Sequence, residues 1–502
     1  MSTLEASRDL LPEKYLYLAG RALSSQYISD NVNPLCNPLG PHNRLVLTCG
    51  FLAGTTISSA NRLSIGAKSP LTGGIKESNA GGTAAFMMGR LGIRMITIEG
   101  IREDTSWYIL VIDRHDVKLI KANELAGKSL TLKAEALRRK YGDKIGLTLI
   151  GPAGERKQVS AGIATTDMDG VPSRYSARGG LGAVLGSKRL LGVVYDDRGC
   201  PPPRPENESE YQEAVKSYYE VLRGNEPALN AYSKYGTAAV VDVTNTIGGM
   251  PIRNFSQGSH EHANNINAAT MCQLINQRGG KGKETHACMP GCVIRCSNVY
   301  PDENGELLVS PLEYETIGLL GSNLGIYSLD VIAKLNRMCN DYGVDTIEVG
   351  CAIGTAMEAG VISFGDAEGA MNLLQQMIDD TYLGKIIAAG CVTTGRIFGV
   401  RRVPAVKGQG MAAYEPRAIK GNGVTYMTSP MGADHTAGNT IKANVKHHLK
   451  DNQAVASEMA QLDTNLLDGL GLCIFVGGFL KGKREVLVRL INSYRNWNLS
   501  LK

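Results

Sequence analysis

Three cysteines fall within nine residues, Cys288-Met-Pro-Gly-Cys292-Val-Ile-Arg-Cys296, and a lone Cys473 closes the segment Asp468-Gly-Leu-Gly-Leu-Cys473 far downstream. A [4Fe–4S] cluster takes one thiolate per iron, so one loop can supply three corners and a distant element the fourth. Such a cluster would make this a redox protein. Two other readings stand on the residues alone. Spacing of four would line the cysteines along one helical face as buried core residues. Pro290 and Gly291 interrupt helices, which favours a loop wrapped around something. A structural zinc site prefers paired close ligands, and beyond the single His286 no second Cys or His pair follows.

The elements that must hold this loop come from a chain of 502 residues, long enough for two or three domains. Its formal charge is only +5, with scattered basic residues, so nucleic acid is not an expected partner. The opening residues, with Glu5, Arg8, Asp9, Glu13 and Lys14, contain no signal-peptide core. No uncharged apolar run approaches the ~18 residues of a membrane span. Eleven cysteines without a secretory signal are expected in a reducing cytoplasm.

Glycine, at 59 residues, clusters in the first third: Ser69-Pro-Leu-Thr-Gly-Gly74, Glu77-Ser-Asn-Ala-Gly-Gly82, Gly151-Pro-Ala-Gly154 and Ala177-Arg-Gly-Gly-Leu-Gly182. Short β-like runs lie between them, at Arg44–Thr48, Met95–Glu99, Trp107–Asp113 and Leu147–Ile150. Glycine loops between strands bring bare amides close to an anionic ligand. None is a GxGxxG opening a βαβ unit, so a Rossmann site is not expected. After Cys200-Pro-Pro-Pro-Arg-Pro205, a rigid connector, helical patterns dominate. Ser209–Arg223, Ser328–Tyr342 and Asp366–Tyr382 read as helices, the second capped by Ser328 and stopped by Gly343. The expectation is an α+β fold. Residues 1–200 would form a β-rich base, 201–400 a helical domain with the cysteine loop, and 401–502 a further helical domain with the fourth cysteine.

Taken together the motifs resemble the tungsten- or molybdenum-dependent aldehyde ferredoxin oxidoreductases. The resemblance is carried by Ala67-Lys-Ser-Pro-Leu-Thr-Gly73, Ser78-Asn-Ala-Gly-Gly82, Ile150-Gly-Pro-Ala-Gly-Glu155, Arg178-Gly-Gly-Leu-Gly-Ala-Val184, Lys234-Tyr-Gly-Thr237, the cysteine loop, Glu313-Tyr-Glu315, Gly321-Ser-Asn-Leu-Gly-Ile326 and Asp468-Gly-Leu-Gly-Leu-Cys473. It implies a bis-molybdopterin centre holding tungsten or molybdenum, Mg at the pterin phosphates, and a [4Fe–4S] cluster on Cys288, Cys292, Cys296 and Cys473. Arg62 and Asn79, with Gly81 and Gly82, match pterin-facing positions. Arg178, Gly179 and Gly180 match a loop near the pterin phosphates. Asp468 and Leu472 match an acidic pterin-binding turn, and Asn340 and Val344 match contacts to the second pterin.

The resemblance further implies oxidation of a small aldehyde to its carboxylic acid, with electrons leaving to ferredoxin or a similar iron–sulfur carrier. Glu315 matches the active-site Glu and His435, in Met431-Gly-Ala-Asp-His435, the active-site His. A carboxylate to activate water and a His to hold the carbonyl oxygen or relay a proton suit that reaction. On residues alone, Glu313 or Glu315 reads rather as a helix cap and His435 as a loop histidine beside Asp434. Some positions depart from the family pattern. The first cysteine gap holds three residues where two are commoner, and Asn340 stands where an Asp is frequent. Lys334 replaces a Glu used elsewhere for an inter-subunit metal, so that metal is not expected, while a homo-oligomer is compatible with the sequence. The ends read as shortened. A family relative reducing another carbonyl or aromatic acid as the catalytic subunit of a complex, and a cluster-only electron carrier, are the competing functions.

Overall fold

The computed structural model describes residues 1–501. The expected strands form two sheets in the first 200 residues. In the first, β1 (Leu45–Cys49), β2 (Leu63–Lys68), β3 (Ile75–Ala80) and β4 (Met95–Ile98) run antiparallel in the order β3-β2-β1-β4. In the second, β5 (Tyr108–Ile112), β6 (Val117–Lys121), β7 (Gly146–Leu149), β8 (Ile163–Thr166), β9 (Pro172–Ser176) and β10 (Leu190–Tyr195) take the order β6-β5-β10-β7-β8-β9. Apolar β-branched and leucine residues such as Leu47, Ile65, Leu147 and Val193 are sealed between these sheets and their covering helices. The side-chain period of two matters most on β3. Lys76 and Ser78 leave one face of that strand, and Glu77 and Asn79 leave the other.

The later chain is mainly helical, as expected. The helix Leu329–Tyr342 begins where the Ser328 hydroxyl accepts from Val331 N–H and ends at Gly343, whose φ of +89° only glycine adopts readily. Its Ile332, Leu335, Cys339 and Tyr342 are buried. The expected helix Asp366–Tyr382 is instead two helices, Ala367–Ile378 and Tyr382–Ala388. Asp380 turns left-handed at φ +58°, and the Thr381 hydroxyl caps the second helix through Gly384 N–H. Local capping at Thr381 ends one helix and starts the next.

Helix is not the whole of this region. A three-stranded sheet, β11 (Lys283–His286), β12 (Ser297–Pro301) and β13 (Leu307–Val309), went unrecognised in the sequence. Its strands are short, and Lys-Glu-Thr-His lacks apolar alternation. β11 pairs antiparallel with β12, His286 opposite Ser297, so the cysteine segment is the connection of a hairpin.

Packing cuts across the sequence order. One core gathers Leu52 and Ile57, Tyr218 of the helix Glu208–Arg223, Ile294 of the cysteine loop, Leu472, and Leu490 of the helix Glu485–Arg495. Each large apolar side chain sealed there contributes roughly 1.5–3 kcal/mol. Burial thus ties the segment before Cys473 to the loop bearing the other three cysteines. No single described helix is long and apolar enough to cross a membrane.

Candidate active site

The hairpin loop reverses around Gly291, whose φ is +77° and where an added Cβ would lie 2.3 Å from the Thr56 carbonyl oxygen. The loop is therefore pressed onto the segment Thr56–Asn61 of the base. There Ser58 Oγ accepts from Val293 N–H at 3.1 Å, and Ser59 Oγ lies 3.8 Å from Cys292 Sγ. The carbonyl of the same Ser59 accepts from Cys473 N–H at 2.8 Å. One serine thus touches both the local and the distant cysteine.

The remaining thiols close around the same point. A Cβ on Gly81 would stand 3.0 Å from Cys288 Sγ, and Gly82 N–H donates to Cys288 O at 2.9 Å. A hydrogen bond from Cys288, working against burial, pulls the Cys292 thiol down to about 6. That bond, then burial, pushes Cys288 well above the ordinary thiol range. Burial raises Cys296 and Cys473, and the charge of neighbouring thiols adds to it in both. Thiolates this close repel one another, and Arg174 and Arg62 offset that only in part. Among the described residues no three His, Cys, Asp or Glu side chains converge on a single ion. A cubane does not require that, because each iron takes its own thiolate.

Beside the thiols lies a cavity of about 230 Å³ lined by Arg62, Asn79, Gly81, Asn340 and Val344, among others. Arg62 donates through Nε to Asn79 Oδ1 at 2.7 Å. Asp468, buried behind them, approaches Arg21 Nη2 at 2.6 Å. The contact is off-axis, and neither carboxylate oxygen receives an aligned hydrogen bond. Burial pushes the Asp468 carboxyl up to about 7 against the opposing charge of Arg21. A buried acceptor pair without donors is costly and fits a ring N–H arriving with a ligand. Leu472 is buried next to it, its amide held by Leu467 O at 2.8 Å.

Gly82 could not be larger. Its φ is +100°, and a Cβ would meet Thr165 Cγ2 and Thr166 O at 2.7 Å. The Arg178–Gly180 loop lies outside this cavity. Arg178 does not line the cavity: it donates through Nη1 to Ala433 O at 2.6 Å and through Nη2 to Gly410 O, with Nε 3.3 Å from Asp345. Gly179 backs β3, where a Cβ would strike the Lys76 stem at 2.4 Å, and Gly180 faces Val159 O and Pro70. Asp341, the neighbour of Asn340, is engaged by Arg337 and Thr131 and faces away from the cavity lining.

Glu315 and His435 meet. The imidazole Nε2 lies 3.3 Å from Glu315 Oε1, both side chains largely buried. Glu315 Oε2 accepts from Ala413 N–H at 2.8 Å, so the residue does not cap its own helix, Tyr314–Leu320. His435 packs 5.5 Å from the Tyr414 ring, and its Nδ1 has no partner. Glu313 and Thr316, flanking Glu315 in the chain, line the cavity.

The family description "Aldehyde ferredoxin oxidoreductase, N-terminal domain" matches residues 1–197, and "Aldehyde ferredoxin oxidoreductase, domains 2 & 3" matches residues 213–502. The chain belongs to the aldehyde ferredoxin oxidoreductase family. It is similar to the tungsten-containing aldehyde ferredoxin oxidoreductase of Pyrococcus horikoshii, 30% identical over 96% of this chain and 81% of that protein. The corresponding Pyrococcus furiosus protein is 29% identical over 91% of this chain and 77% of its own length. In fold, the active-site complex of a benzoyl-coenzyme A reductase bound to a dienoyl-coenzyme A superposes with a TM-score of 0.76, covering 97% of this chain and 82% of that one at 18% identity.

Several residues of this family member's site were not anticipated from sequence. Ser58 and Ser59 join the cysteine loop to Cys473, and only their place just before Arg62 hints at it. Arg174 and Tyr175 line the cavity from β9 with no motif to mark them. Arg21, far from any glycine cluster, reaches Asp468 and Glu77.

Proposed function

We propose that this family member oxidises an aldehyde to its carboxylic acid at a bis-pterin tungsten or molybdenum centre, its electrons leaving through a [4Fe–4S] cluster to ferredoxin or a similar carrier. Cys288, Cys292, Cys296 and Cys473 would hold the cluster. Arg62, Asn79, Gly81, Gly82, Asp468, Asn340 and Val344 would hold the pterins. The metal, when bound, takes up the two electrons that aldehyde hydration and oxidation release. The observation that carries the reading is the 3.3 Å approach of Glu315 Oε1 and His435 Nε2, both largely buried.

The chain's own part is proton handling. Converting RCHO and H₂O to RCOOH releases two protons with two electrons. Ala413 N–H holds Glu315 Oε2, which leaves Oε1 as the basic atom for the attacking water. A proton taken at Oε1 has His435 Nε2 as its next acceptor at 3.3 Å. Burial around Tyr414 and Tyr426 excludes competing water. Tungsten or molybdenum near one per chain, with aldehyde-dependent reduction of a viologen dye, is the expected result on anaerobically purified protein. Iron without tungsten or molybdenum would instead mark a cluster-only electron carrier.

Asp468 gives a test without turnover. In the folded chain lacking pterin its carboxyl keeps its proton to about pH 7, whereas unfolded it releases near pH 4. The folded state binds the extra proton, so this group costs stability progressively as pH rises through that window. The Tm advantage of Asp468→Asn over wild type, both without pterin, should therefore grow from pH 5 to pH 8. The same variant should retain less pterin. A Tm difference independent of pH would refute the assignment.

A further inference from the structure

The turn carrying His435 is gripped by three cations from the first 200 residues. Arg178 Nη1 donates to Ala433 O at 2.6 Å. Lys76 Nζ meets Asp434 Oδ2, both groups fully buried. Arg21 Nη2 donates to Thr436 O at 3.0 Å. Asp434 divides its work: Oδ2 faces Lys76, while Oδ1 accepts from Thr436 N–H at 2.9 Å and Thr436 Oγ1 at 2.8 Å. Burial opposes charge on Asp434, yet Lys76 and Arg178 outweigh it and hold the carboxyl well below the usual range.

The imidazole has no comparable anchor. Nδ1 is unpartnered, and its nearest carboxylate oxygen on Asp434 is 4.0 Å away. Where Nε2 sits is therefore decided by the backbone of residues 433–436, and that backbone by the three cations. Lys76 reaches the turn because the period of two on β3 sends it to the face opposite Glu77 and Asn79. Its stem fills the space that a side chain at Gly179 would need. Buried ion pairs are weak sources of net stability beside apolar residues of equal size. Three cations on one short turn thus point to geometry.

We infer that Lys76 is a positioning residue for proton transfer: by holding Asp434 it sets His435 Nε2 against Glu315 Oε1. The inference rests on the catalytic reading of Glu315 and His435 above. A misplacement of about 1 Å at a reacting group costs on the order of 10²-fold in rate.

The test compares Lys76→Met, the neutral pair Lys76→Met/Asp434→Asn, and Lys133→Met. Lys133 is an equally buried lysine that donates to Ile150 O at 2.7 Å and pairs with Glu155, outside this site. Readouts are Tm, iron and tungsten per chain, kcat and KM separately, and the pH profile of kcat. Lys76, Arg178, Arg21 and His435 face Asp434, and Glu315 faces His435, so the profile reports this set. Both Lys76 variants should lose kcat by about 10²-fold with KM and metal content kept and the profile displaced. Lys133→Met should lower Tm and leave kcat unchanged. Full kcat in the metal-loaded double variant overturns the inference. Should neither Met variant accumulate, Lys76→Arg decides: the bulkier planar head should reduce kcat at wild-type Tm, and an unchanged kcat overturns the inference. Loss of turnover in Glu315→Gln with full turnover in the Lys76 variants removes the positioning role alone. Full turnover in Glu315→Gln and His435→Asn removes the catalytic reading beneath it.

Discussion

Glu315→Gln and His435→Asn should each lower kcat by about 10²–10⁴-fold, the range for losing a general acid–base group. Iron, and tungsten or molybdenum, should stay at the wild-type level, since neither side chain is among the proposed cluster or pterin ligands. The glutamine can still accept from Ala413 N–H, so the local fold is kept while the basic oxygen is lost. Because the two side chains meet at 3.3 Å and the proposed proton path runs through both, their effects should not add. The double variant should be little slower than the worse single one. Wild-type turnover in both single variants would remove this pair from the chemistry.

Cys473→Ser should strip iron from the protein and abolish electron delivery to an iron–sulfur carrier. The substitution leaves Leu472 and the surrounding core in place, so the chain should still fold. Cys339→Ser is the matched comparison, a fully buried cysteine of the helix Leu329–Tyr342 with no thiol partner among the four. A hydroxyl buried there should cost about 1–3 kcal/mol of stability and no iron. Iron determination with the low-temperature EPR of dithionite-reduced protein separates the two. Unaltered iron and spectrum in Cys473→Ser would show that the fourth sulfur lies outside the cluster.

Much of the architecture is written locally. Ser328 and Gly343 delimit a helix because a hydroxyl and a left-handed glycine satisfy backbone groups within a few residues. The strands β1, β4, β5 and β7 follow from β-branched runs between glycine turns. The break at Asp380 was missed because neither Gly nor Pro marks it, and a left-handed Asp followed by one Thr cap is a weak signal. The hairpin holding the cysteine loop was missed because its short polar strands owe their pairing to the core around Ile294 and to the base loop at Ser58.

The cysteine trio, the lone Cys473, and the acid and histidine in their motifs were all legible in the sequence, as was the membership they imply. What the residues near them do was not. Arg178 sits in a glycine loop suited to phosphate, yet its guanidinium grips Asp345, Gly410 and Ala433. Lys76 and Asp434 stand 358 residues apart, and nothing in either neighbourhood announces the other. Spacing and propensity act over one or two turns of chain, so they determine elements and motif chemistry. Which oxygen of a carboxylate is free, and which cation holds a turn in place, is decided where distant strands and loops pack into a water-free interior. There each buried charge must find a partner or bear the cost of having none.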